Sequence, residues 1–535
     1  MSDHGTTPRK QTARTWTRLG LGALSGLLAG GAALAVAELV AAAVRPQAGP
    51  VVAVGAAAID RTPTAVKDWA IRTFGSDDKL VLQLGILAVL TLFALAVGAF
   101  AARRRRAGAA GVLVFGAVGA AAALGRPDAT GVTDAFPSVL GAIAGAVLLY
   151  LLTGLLPAPH RDGPGEPGAP GEGWDRRRFV IAATAAAAAS AGAGVLGRAL
   201  SGVSGRDAVA SRENVTLPAP GSPAPAVPRG AQVRVAGVSP FVTPTGDFYR
   251  VDTALVVPKV DATAWRLRIH GEGVTRERTL TFDDLLRREL IERDVTLTCV
   301  SNEVGGPYVG NARWIGVRLA DLLEECGVRP PSAGGPADQL VARSVDGMTI
   351  GSPVEDVMDG RDAMLAVGMN GEPLPFDHGF PVRMLVPGLY GYVSACKWIE
   401  DIELTTFDAY DAYWVKRDWA REAPIKTQSR IDTPKPFARP KAGTVMVAGV
   451  AWAQHRGIDK VEIRVDDGTW QEAVLAAEDS RDTWRQWSYA WRATKGGHTL
   501  TVRATDRTGE VQTDKRTRTV PDGASGRHSV VVTVD

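Results

Sequence analysis

The sequence predicts three regions of different fold class: an N-terminal all-α membrane region, a central α+β domain and a C-terminal all-β sandwich. Residues 1–160 are dominated by long runs of Ala, Leu, Val and Gly, which indicate the first. Strand-like and helix-like segments alternate in residues 229–435, and residues 436–535 contain short alternating strands only. A chain of 535 residues is long enough to give each region its own core.

The N-terminal region is predicted to contain about four membrane-spanning helices. Its apolar runs approach or exceed the ~20 residues that are needed to cross a bilayer. They lie at about residues 19–44, 80–102, 107–124 and 136–156. These runs contain almost no ionisable residues, so we expect a simple anchor rather than a transport pathway.

The distribution of basic residues predicts the orientation of these spans. Basic clusters occur in the N-terminal tail from Arg9 to Arg18, at Arg103–Arg106 after the second run and at Arg176–Arg178 after the fourth. Positive charge in every second loop predicts a cytoplasmic N-terminus, with loops 45–79 and 125–135 outside. The sequence therefore predicts a multi-pass protein of the cell membrane.

Residues 161–228 are predicted to be a linker that contains one apolar segment. Residues 161–173 read RDGPGEPGAPGEG, and a second stretch rich in Pro, Ala and Gly runs from Ser201 to Pro228. Between them, a basic head precedes the apolar segment 178–199. The pair Arg176-Arg177 resembles a twin-arginine export signal, although an ordinary fifth span is equally compatible. Either interpretation places the later residues outside the cytoplasm.

Cys299 is the first candidate for a reactive centre. It follows an alternating strand with Val295 and Leu297 and precedes a glycine-rich polar loop. A strand fixes position, and the glycines that follow allow a ligand to approach the backbone. A lone cysteine at a strand end is also typical of simple core packing, so this stretch alone leaves both interpretations open.

A second block, from Gly368 to Leu404, contains several cationic side chains among glycines. Asn370-Gly371 is a hairpin-turn signal, and His378, Arg383 and Lys397 follow it. Fixed donors beside flexible backbone suit an anion such as a phosphate. Taken singly, each of these residues is also compatible with an ordinary surface charge.

Together, Cys299, the run ARWIGVRLADLL at 312–323 and the block HGFPVRMLVPG…GY…KW resemble the sulfite oxidase family of molybdopterin enzymes. The resemblance covers about residues 235–535 and implies a sulfite-oxidase-type α+β domain. It also implies a molybdenum-molybdopterin cofactor with Cys299 as the single protein thiolate on the metal. A soft thiolate suits a transition metal, and a metal-bound thiol is deprotonated.

The resemblance implies further site residues. Arg250 and Arg313 would hold an anionic substrate or the pterin phosphate, with Trp314 lining the same pocket. Tyr413 would occupy the place of an active-site tyrosine. The implied pterin contacts are Tyr249, Arg250, Ser344, His378, Arg383 and Lys397.

The substrate is less well defined by the sequence. The residues after Cys299 depart from the CxGNRR pattern of sulfite oxidases, with Glu303 where basic residues would favour sulfite. We expect sulfite oxidase-like oxygen-atom transfer, with sulfoxide reduction at the same cofactor as the alternative. A cofactor-free membrane-anchored binding or sensor protein is a third possibility. The presence of Cys299 with Arg383 and Lys397 argues against it.

The expected partners follow from composition and from the resemblance. None of the seven histidines lies in an apolar run and no covalent haem motif is present, so we expect no haem and a separate electron acceptor. A net charge of +3 gives no indication of nucleic acid. Cys326 and Cys396 are expected to be packing residues.

The C-terminal region is predicted to consist of strands. Val461, Ile463 and Val465 alternate before an Asp467-Gly468 turn. Short strands at regular spacing indicate a β-sandwich. The region resembles the Ig-like dimerisation domain of sulfite oxidases, which implies a homodimer.

Overall fold

The computed structural model describes residues 8–62, 66, 73, 78–126, 129, 131–156 and 176–535. The predicted linker at 161–173 lies outside the described residues. The chain divides into two compact units. The first comprises Met1–Arg206 with Ala254–Val256, and the second comprises Asp207–Thr253 with Val257–Asp535.

Six long or medium helices lie in the N-terminal part of the described chain, and five contain segments that are long and apolar enough to cross a membrane. Helix length and composition alone identify these five as candidate membrane spans. The helices are α1 Pro8–Val44, α2 Pro50–Arg61, α3 Asp78–Ala101, α4 Arg105–Leu124, α5 Phe136–Gly154 and α6 Arg176–Glu213.

Two of these helices differ from the prediction. Helix α2 lies within residues 45–79, which were expected to be a loop. Helix α6 continues to Glu213, so the expectation of a linker from Ser201 is wrong over residues 201–213. Arg212 explains why the helix extends to Glu213. Its guanidinium donates to the carbonyls of Pro373 and Leu374 at 2.8 and 2.7 Å. These contacts fix the last helical turn against folded structure.

The α+β part of the second unit contains two five-stranded sheets. One has the strand order β2-β1-β10-β5-β6, and the other has the order β3-β4-β7-β8 with β9 paired to β7. The strands are β1 Arg266–Gly271, β2 Arg278–Thr281, β3 Leu290–Thr298, β4 Val309–Arg318, β5 Gln339–Ser344, β6 Thr349–Pro353, β7 Met364–Met369, β8 Glu372–Pro373, β9 Arg383–Leu385 and β10 Ile399–Thr405. The short helices are α7 Phe282–Leu286, α8 Leu319–Glu325, α9 Val354–Met358 and α10 Gly391–Ser394.

Local sequence signals explain several of these elements. Thr281 begins α7 with a capping box, since its hydroxyl accepts from the Asp284 amide while the Asp284 carboxylate accepts from the Thr281 amide. The Asn370-Gly371 turn joins β7 to β8 as predicted. Strands were also expected between residues 251 and 265, where the structure has none, because the Trp265 amide closes a turn on the Asp261 carbonyl.

The C-terminal part forms two four-stranded antiparallel sheets around one apolar core. Their orders are β11-β12-β16-β15 and β14-β13-β17-β18. The strands are β11 Gln428–Thr433, β12 Gly443–Trp452, β13 Ile458–Val465, β14 Gln471–Glu472, β15 Val474–Leu475, β16 Arg485–Ala493, β17 Gly496–Asp506 and β18 His528–Val534. Val461 and Ile463 are buried in the shared core, as the alternation predicted, and Val465 is partly buried against it.

This C-terminal part begins earlier than predicted and is not a separate unit. Strand β11 starts at Gln428, ahead of the predicted boundary at residue 436. The α+β part and the two C-terminal sheets together form the second compact unit. The Ig-like classification and the homodimer stay predictions.

His528, at the start of β18, is held in its neutral form. Its Nδ1 accepts from the Ile431 amide at 3.0 Å. Burial, followed by the charges of Arg430 and Arg516, lowers the pKa of His528 from 6.5 to about 4. In the unfolded chain His528 binds a proton below about pH 6.5, whereas in the folded chain it does so only near pH 4. Lowering the pH from 6.5 towards 4 therefore favours the unfolded chain, and the stability that His528 contributes at higher pH is lost.

A pH prediction follows for His528→Gln, which keeps an acceptor but cannot titrate. Between pH 7.5 and 5, the wild-type chain should lose about 2 kcal/mol more unfolding free energy than the variant. Urea unfolding followed by tryptophan fluorescence at both pH values measures the difference. Equal losses in the two proteins would show that His528 already binds a proton in the fold.

Candidate functional site

Cys299 lies directly after β3, at the start of a tight loop that returns to β4. Its amide donates to the Tyr308 carbonyl at 3.0 Å, and its carbonyl accepts from the Asn302 amide at 3.0 Å. The Asn302 side chain in turn accepts from the Tyr308 amide at 2.8 Å. Cys299 is 8% exposed, so it is nearly buried. We call residues 299–308 the Cys299 loop.

The electrostatics of Cys299 suit a metal ligand. Burial raises the pKa of its thiol, whereas hydrogen bonds from the Ser301 amide and hydroxyl and the charge of Lys397 oppose that rise. The net pKa lies above that of an ordinary thiol, so the sulfur stays protonated by itself. A bound metal ion supplies the positive charge that a buried thiolate needs.

The segment from Phe248 to Arg250 brings aromatic rings to this cysteine. Burial, followed by the charge of Cys299, raises the pKa of Tyr249, while Arg383 opposes the shift. The Tyr249 ring stacks on Phe248, with 5.2 Å between centroids. Phe248 also makes edge contacts with Trp314 and His378 at 5.7 Å each. These contacts place Tyr249 within electrostatic reach of both Cys299 and Arg383.

Arg383, the first residue of β9, is a buried cation. It is 5% exposed, and its guanidinium lies 5.3 Å from the centroid of the Trp314 ring. Burial lowers its pKa, and within the described residues no carboxylate forms an ion pair with it. Its Nη1 makes a long contact of 3.5 Å with the His378 carbonyl. Charge of this kind is costly unless an anion or a strong acceptor joins it.

His378 lies in a turn that packs tightly against Arg383 and Lys397. The next residue, Gly379, has φ +109°, and a Cβ there would lie 3.1 Å from Lys397 Cα and 3.2 Å from Arg383 Cβ. Only glycine satisfies both the backbone angle and the space. His378 Nε2 lies 3.3 Å from the Thr245 carbonyl, which assigns the proton to Nε2 and leaves Nδ1 as an acceptor.

Lys397 links the separate chain segments of this region. Its Nζ donates to the Asp252 carboxylate and to the Asp377 carbonyl, both at 2.8 Å. The carboxylate of Asp377 accepts from Arg250 at 2.5 Å. Arg250 itself is half exposed, with 54% of its side chain accessible, so it can turn towards a ligand.

Ser344 completes the group from the end of β5. It is 1% exposed, and the amide of the next residue, Val345, donates to the Trp398 carbonyl at 3.0 Å. This bond holds Ser344 beside the segment that contains Lys397.

The site has polar atoms that the protein does not satisfy. Three buried atoms have no hydrogen-bond partner among the residues that the structure describes: Ser344 Oγ, His378 Nδ1 and Arg383 Nε. They offer a hydroxyl, an acceptor and a donor, a set that matches the mixed donors and acceptors of a pterin. In the same described ranges, no group of three His, Cys, Asp or Glu residues could bind a metal alone. A metal bound by one cysteine and an organic ligand fits both observations.

Two predicted site residues have partners other than the residues described above. Arg313 is on the opposite face of β4 from Trp314, where its Nε and Nη2 bind the Asp294 carboxylate at 3.0 and 2.6 Å. Tyr413 follows β10, where its amide donates to Thr349 and the Arg417 guanidinium lies 3.6 Å from its ring centroid. The structure therefore pairs Arg313 with a carboxylate and Tyr413 with the Arg417 guanidinium.

The sequence alone did not identify three residues that complete the site. Ser301 stabilises the Cys299 sulfur, Asp252 neutralises Lys397, and Tyr390 lies within electrostatic reach of Cys299. Asp252 carried a signal, since an acid two residues after Arg250 alternates to the same side of an extended segment. Nothing in the local sequence distinguishes Ser301 or Tyr390 from packing residues.

Comparison with known proteins agrees with this geometry. The family described as oxidoreductase molybdopterin binding domain matches residues 254–414. Mitochondrial sulfite oxidase of Mus musculus is 32% identical over 291 residues, which cover 47% of this chain and 52% of that protein. Sulfite oxidase of Gallus gallus is 30% identical, covering 48% of this chain and 63% of that protein. The chain thus spans about half the length of the mammalian relatives it matches.

One solved structure is also similar. The sulfane dehydrogenase SoxCD from Paracoccus pantotrophus has 25% sequence identity and a TM-score of 0.48, covering 56% of this chain and 85% of that one. The matched family domain contains Cys299, Ser344, His378, Arg383 and Lys397, the residues assembled above. Residues 254–414 therefore match a molybdopterin-binding oxidoreductase domain, and the sequence matches support a relationship of this chain to the sulfite oxidase family.

Proposed function

We propose that the protein is a membrane-anchored, extracytoplasmic molybdenum-molybdopterin oxidoreductase that performs sulfite oxidase-like oxygen-atom transfer on a small anionic or oxo substrate. Electrons then pass to a separate acceptor. One observation carries the proposal: Cys299 lies among side chains whose buried polar atoms, on Ser344, His378 and Arg383, have no partner in the described structure. Such atoms are costly in a folded protein unless a ligand satisfies them.

Each residue has a defined role in this proposal. Cys299 binds the metal through its thiolate, helped by the Ser301 hydrogen bonds and the Lys397 charge. Ser344, His378 and Arg383 bind the pterin through the three unpartnered atoms, and Tyr249 lies within electrostatic reach of Arg383. When bound, the cofactor supplies oxygen-atom transfer with a two-electron change at the metal.

Cationic side chains bind the anionic groups. Arg383 and Lys397 are buried and fixed, so they suit the permanent pterin phosphate. Arg250 is half exposed and pairs with Asp377, so it suits a substrate that enters and leaves. We leave Arg313 out of this set because Asp294 already binds the Nε–Nη2 edge of its guanidinium.

Glu303 favours a second candidate reaction, the reduction of a sulfoxide at the same site. It lies in the Cys299 loop, where the Gly306 amide donates to its carbonyl at 2.8 Å, and it is exposed. A carboxylate in this loop repels a sulfite dianion but not a neutral sulfoxide. Purified protein should be assayed with sulfite plus an artificial acceptor and with sulfoxides plus a reduced dye. The preferred reaction predicts turnover only in the first assay.

The cofactor assignment is tested by metal and pterin content. Detergent-solubilised full-length protein, made in a host that synthesises the cofactor, should contain molybdenum and pterin near one equivalent each. The Cys299→Ser variant should contain less metal. Folded wild-type protein without either component would contradict the proposal and favour a cofactor-free binding protein.

The membrane assignment includes α6 either as a twin-arginine signal or as a fifth span. Phe179 of α6 is 3% exposed and packs in a cluster with Ala102, Leu152 and Leu156. This packing supports retention of α6 as a span. The homodimer through the C-terminal sheets remains part of the proposal.

The export route predicts that Arg176→Lys with Arg177→Lys retains the catalytic domain inside the cell. Twin-arginine export transports folded, cofactor-loaded proteins and depends on that pair. Protease accessibility on intact spheroplasts measures the outcome, and the exposed pair Arg103→Lys with Arg104→Lys is the control. Normal protease sensitivity of the first double variant would show that α6 acts only as a span.

A further inference from the structure

The Cys299 loop is in direct contact with the C-terminal sheets. Arg430 of β11 donates through Nη1 to the Gly306 carbonyl at 2.8 Å. Its Nη2 donates to the Ser239 hydroxyl at 3.0 Å, and its Nε donates to the Asp432 carboxylate at 2.7 Å. One guanidinium therefore joins the loop after Cys299 to the first C-terminal strand.

This contact is buried and fully paired. The Arg430 side chain is 11% exposed and that of Asp432 is 3% exposed. The second oxygen of Asp432 accepts from the Ser239 amide at 2.9 Å. Removing the guanidinium would leave a buried carboxylate and a loop carbonyl with fewer partners, which is costlier than losing an exposed ion pair.

A second contact fixes the loop at its tip. Gly305 has φ +82°, and a Cβ there would lie 2.2 Å from Cδ2 of His528 on β18. His528 cannot move away freely, because its Nδ1 accepts from the Ile431 amide. The tip of the loop therefore rests directly on an imidazole of the C-terminal part.

The strand that leads into Cys299 is held as well. The Thr296 amide donates to the Asp482 carbonyl at 2.9 Å, and the Thr296 hydroxyl accepts from the Trp484 amide at 2.8 Å. The Gln454 side chain donates to the Thr296 carbonyl at 2.8 Å. Hence C-terminal residues bond to both sides of Cys299, before it on β3 and after it in the loop.

We propose that Arg430 is a positioning residue for the metal ligand: through Gly306 it fixes the Cys299 loop, so that the C-terminal sheets form part of the active-site framework. Arg430 touches neither the sulfur nor the unpartnered polar atoms, so it acts through the loop. The proposal deepens the proposed function and rests on it for the role of Cys299. The loop geometry can nevertheless be tested without bound cofactor.

Arg456 provides a matched control. Its Nε donates to the buried Asp506 carboxylate at 2.8 Å, and its Nη2 donates to the Ile425 carbonyl and the Thr427 hydroxyl at 2.9 and 3.0 Å. The three kinds of partner are the same as those of Arg430, but none of them lies in the Cys299 loop. A general effect of losing a buried guanidinium should therefore appear in both variants.

The experiment compares Arg430→Gln with Arg456→Gln in the cofactor-free full-length chain. Arg430→Gln should raise amide hydrogen exchange across residues 300–308 at least 10-fold. It should raise iodoacetamide alkylation of Cys299, located by peptide mass spectrometry, by a similar factor. Arg456→Gln should lower the melting temperature but leave both quantities within twofold of wild type. Arg430→Lys should partly restore protection, because one bond to Gly306 can re-form.

Two results would overturn the proposal: unchanged exchange and alkylation in Arg430→Gln, or the same increase in Arg456→Gln. If Arg430→Gln does not fold, Gly305→Ala disturbs the same loop from the His528 side and should give the same local increase. Wild-type exchange in folded Gly305→Ala would also contradict it.

Molybdenum content is measured in parallel. Its absence from the wild-type chain would refute the proposed function but not the loop result.

Discussion

Replacing Cys299 with serine should abolish turnover while leaving the fold intact. We expect kcat to fall by at least ~1,000-fold, which corresponds to roughly 4 kcal/mol in activation free energy. A serine hydroxyl is a hard, protonated ligand, whereas a thiolate is soft and donates strongly to a transition metal. The hydroxyl is small enough for the space of the sulfur and can still bond to Ser301, so the melting temperature should change little.

The matched control for that variant is Cys396→Ser. Cys396 is fully buried and its Sγ donates to the Lys397 carbonyl at 3.7 Å, so we expect it to be a packing residue. Its replacement should reduce stability but leave the rate per bound molybdenum unchanged. Turnover comparable to wild type in Cys299→Ser would remove this residue from the metal, whatever the control shows.

Arg383→Met and Lys397→Met should both lose the cofactor but change stability in opposite directions. Arg383 is buried without an ion-paired carboxylate in the described chain, so an apolar side chain of similar length should stabilise the cofactor-free fold by about 1–3 kcal/mol. Lys397 binds Asp252, whose side chain is 8% exposed. Removing that ammonium should instead destabilise the fold by about 3 kcal/mol.

Pterin and molybdenum content should fall at least 10-fold in both variants. Denaturant unfolding of cofactor-free protein gives the stability changes, and chemical analysis of protein from a cofactor-competent host gives the content. Arg288→Met serves as a control outside the site, since that partly buried residue pairs with Glu325. Full cofactor content in Arg383→Met, or lower stability of its cofactor-free form, would contradict the assigned role.

Short motifs predicted the centre of the site well because each is locally constrained. Cys299 follows a strand whose residues Val295–Thr298 are all buried, and the turn at Gly379 requires glycine next to His378. The pair Arg313-Trp314 shows the limit of such reasoning. Consecutive strand residues point to opposite faces, so only one of them can line a given pocket. The sequence shows the pair but does not show which of the two residues faces the site. The ion pair between Arg313 and Asp294 on β3 turns Arg313 to the other face of β4.

The extent of α6 shows a second limit. Residues 201–213 were predicted as linker because of their glycines and their position before a Pro-rich stretch. The helix persists because Ala208 is fully buried and Arg212 bonds to carbonyls far along the chain. Tertiary contacts of this kind override local propensity and leave no periodic signal in a short segment.

The hydrogen bonds that join Thr296 and Gly306 to the C-terminal sheets affect how this enzyme can be recombined with its relatives. A chimera that exchanges only residues after 435 would keep Arg430 but lose Gln454 and His528, which contact the strand and loop around Cys299. The smallest segment that could be exchanged without breaking these contacts therefore includes β3, the Cys299 loop and the C-terminal sheets. An exchange that preserves these hydrogen bonds must move the Cys299 loop together with the sheets that hold it.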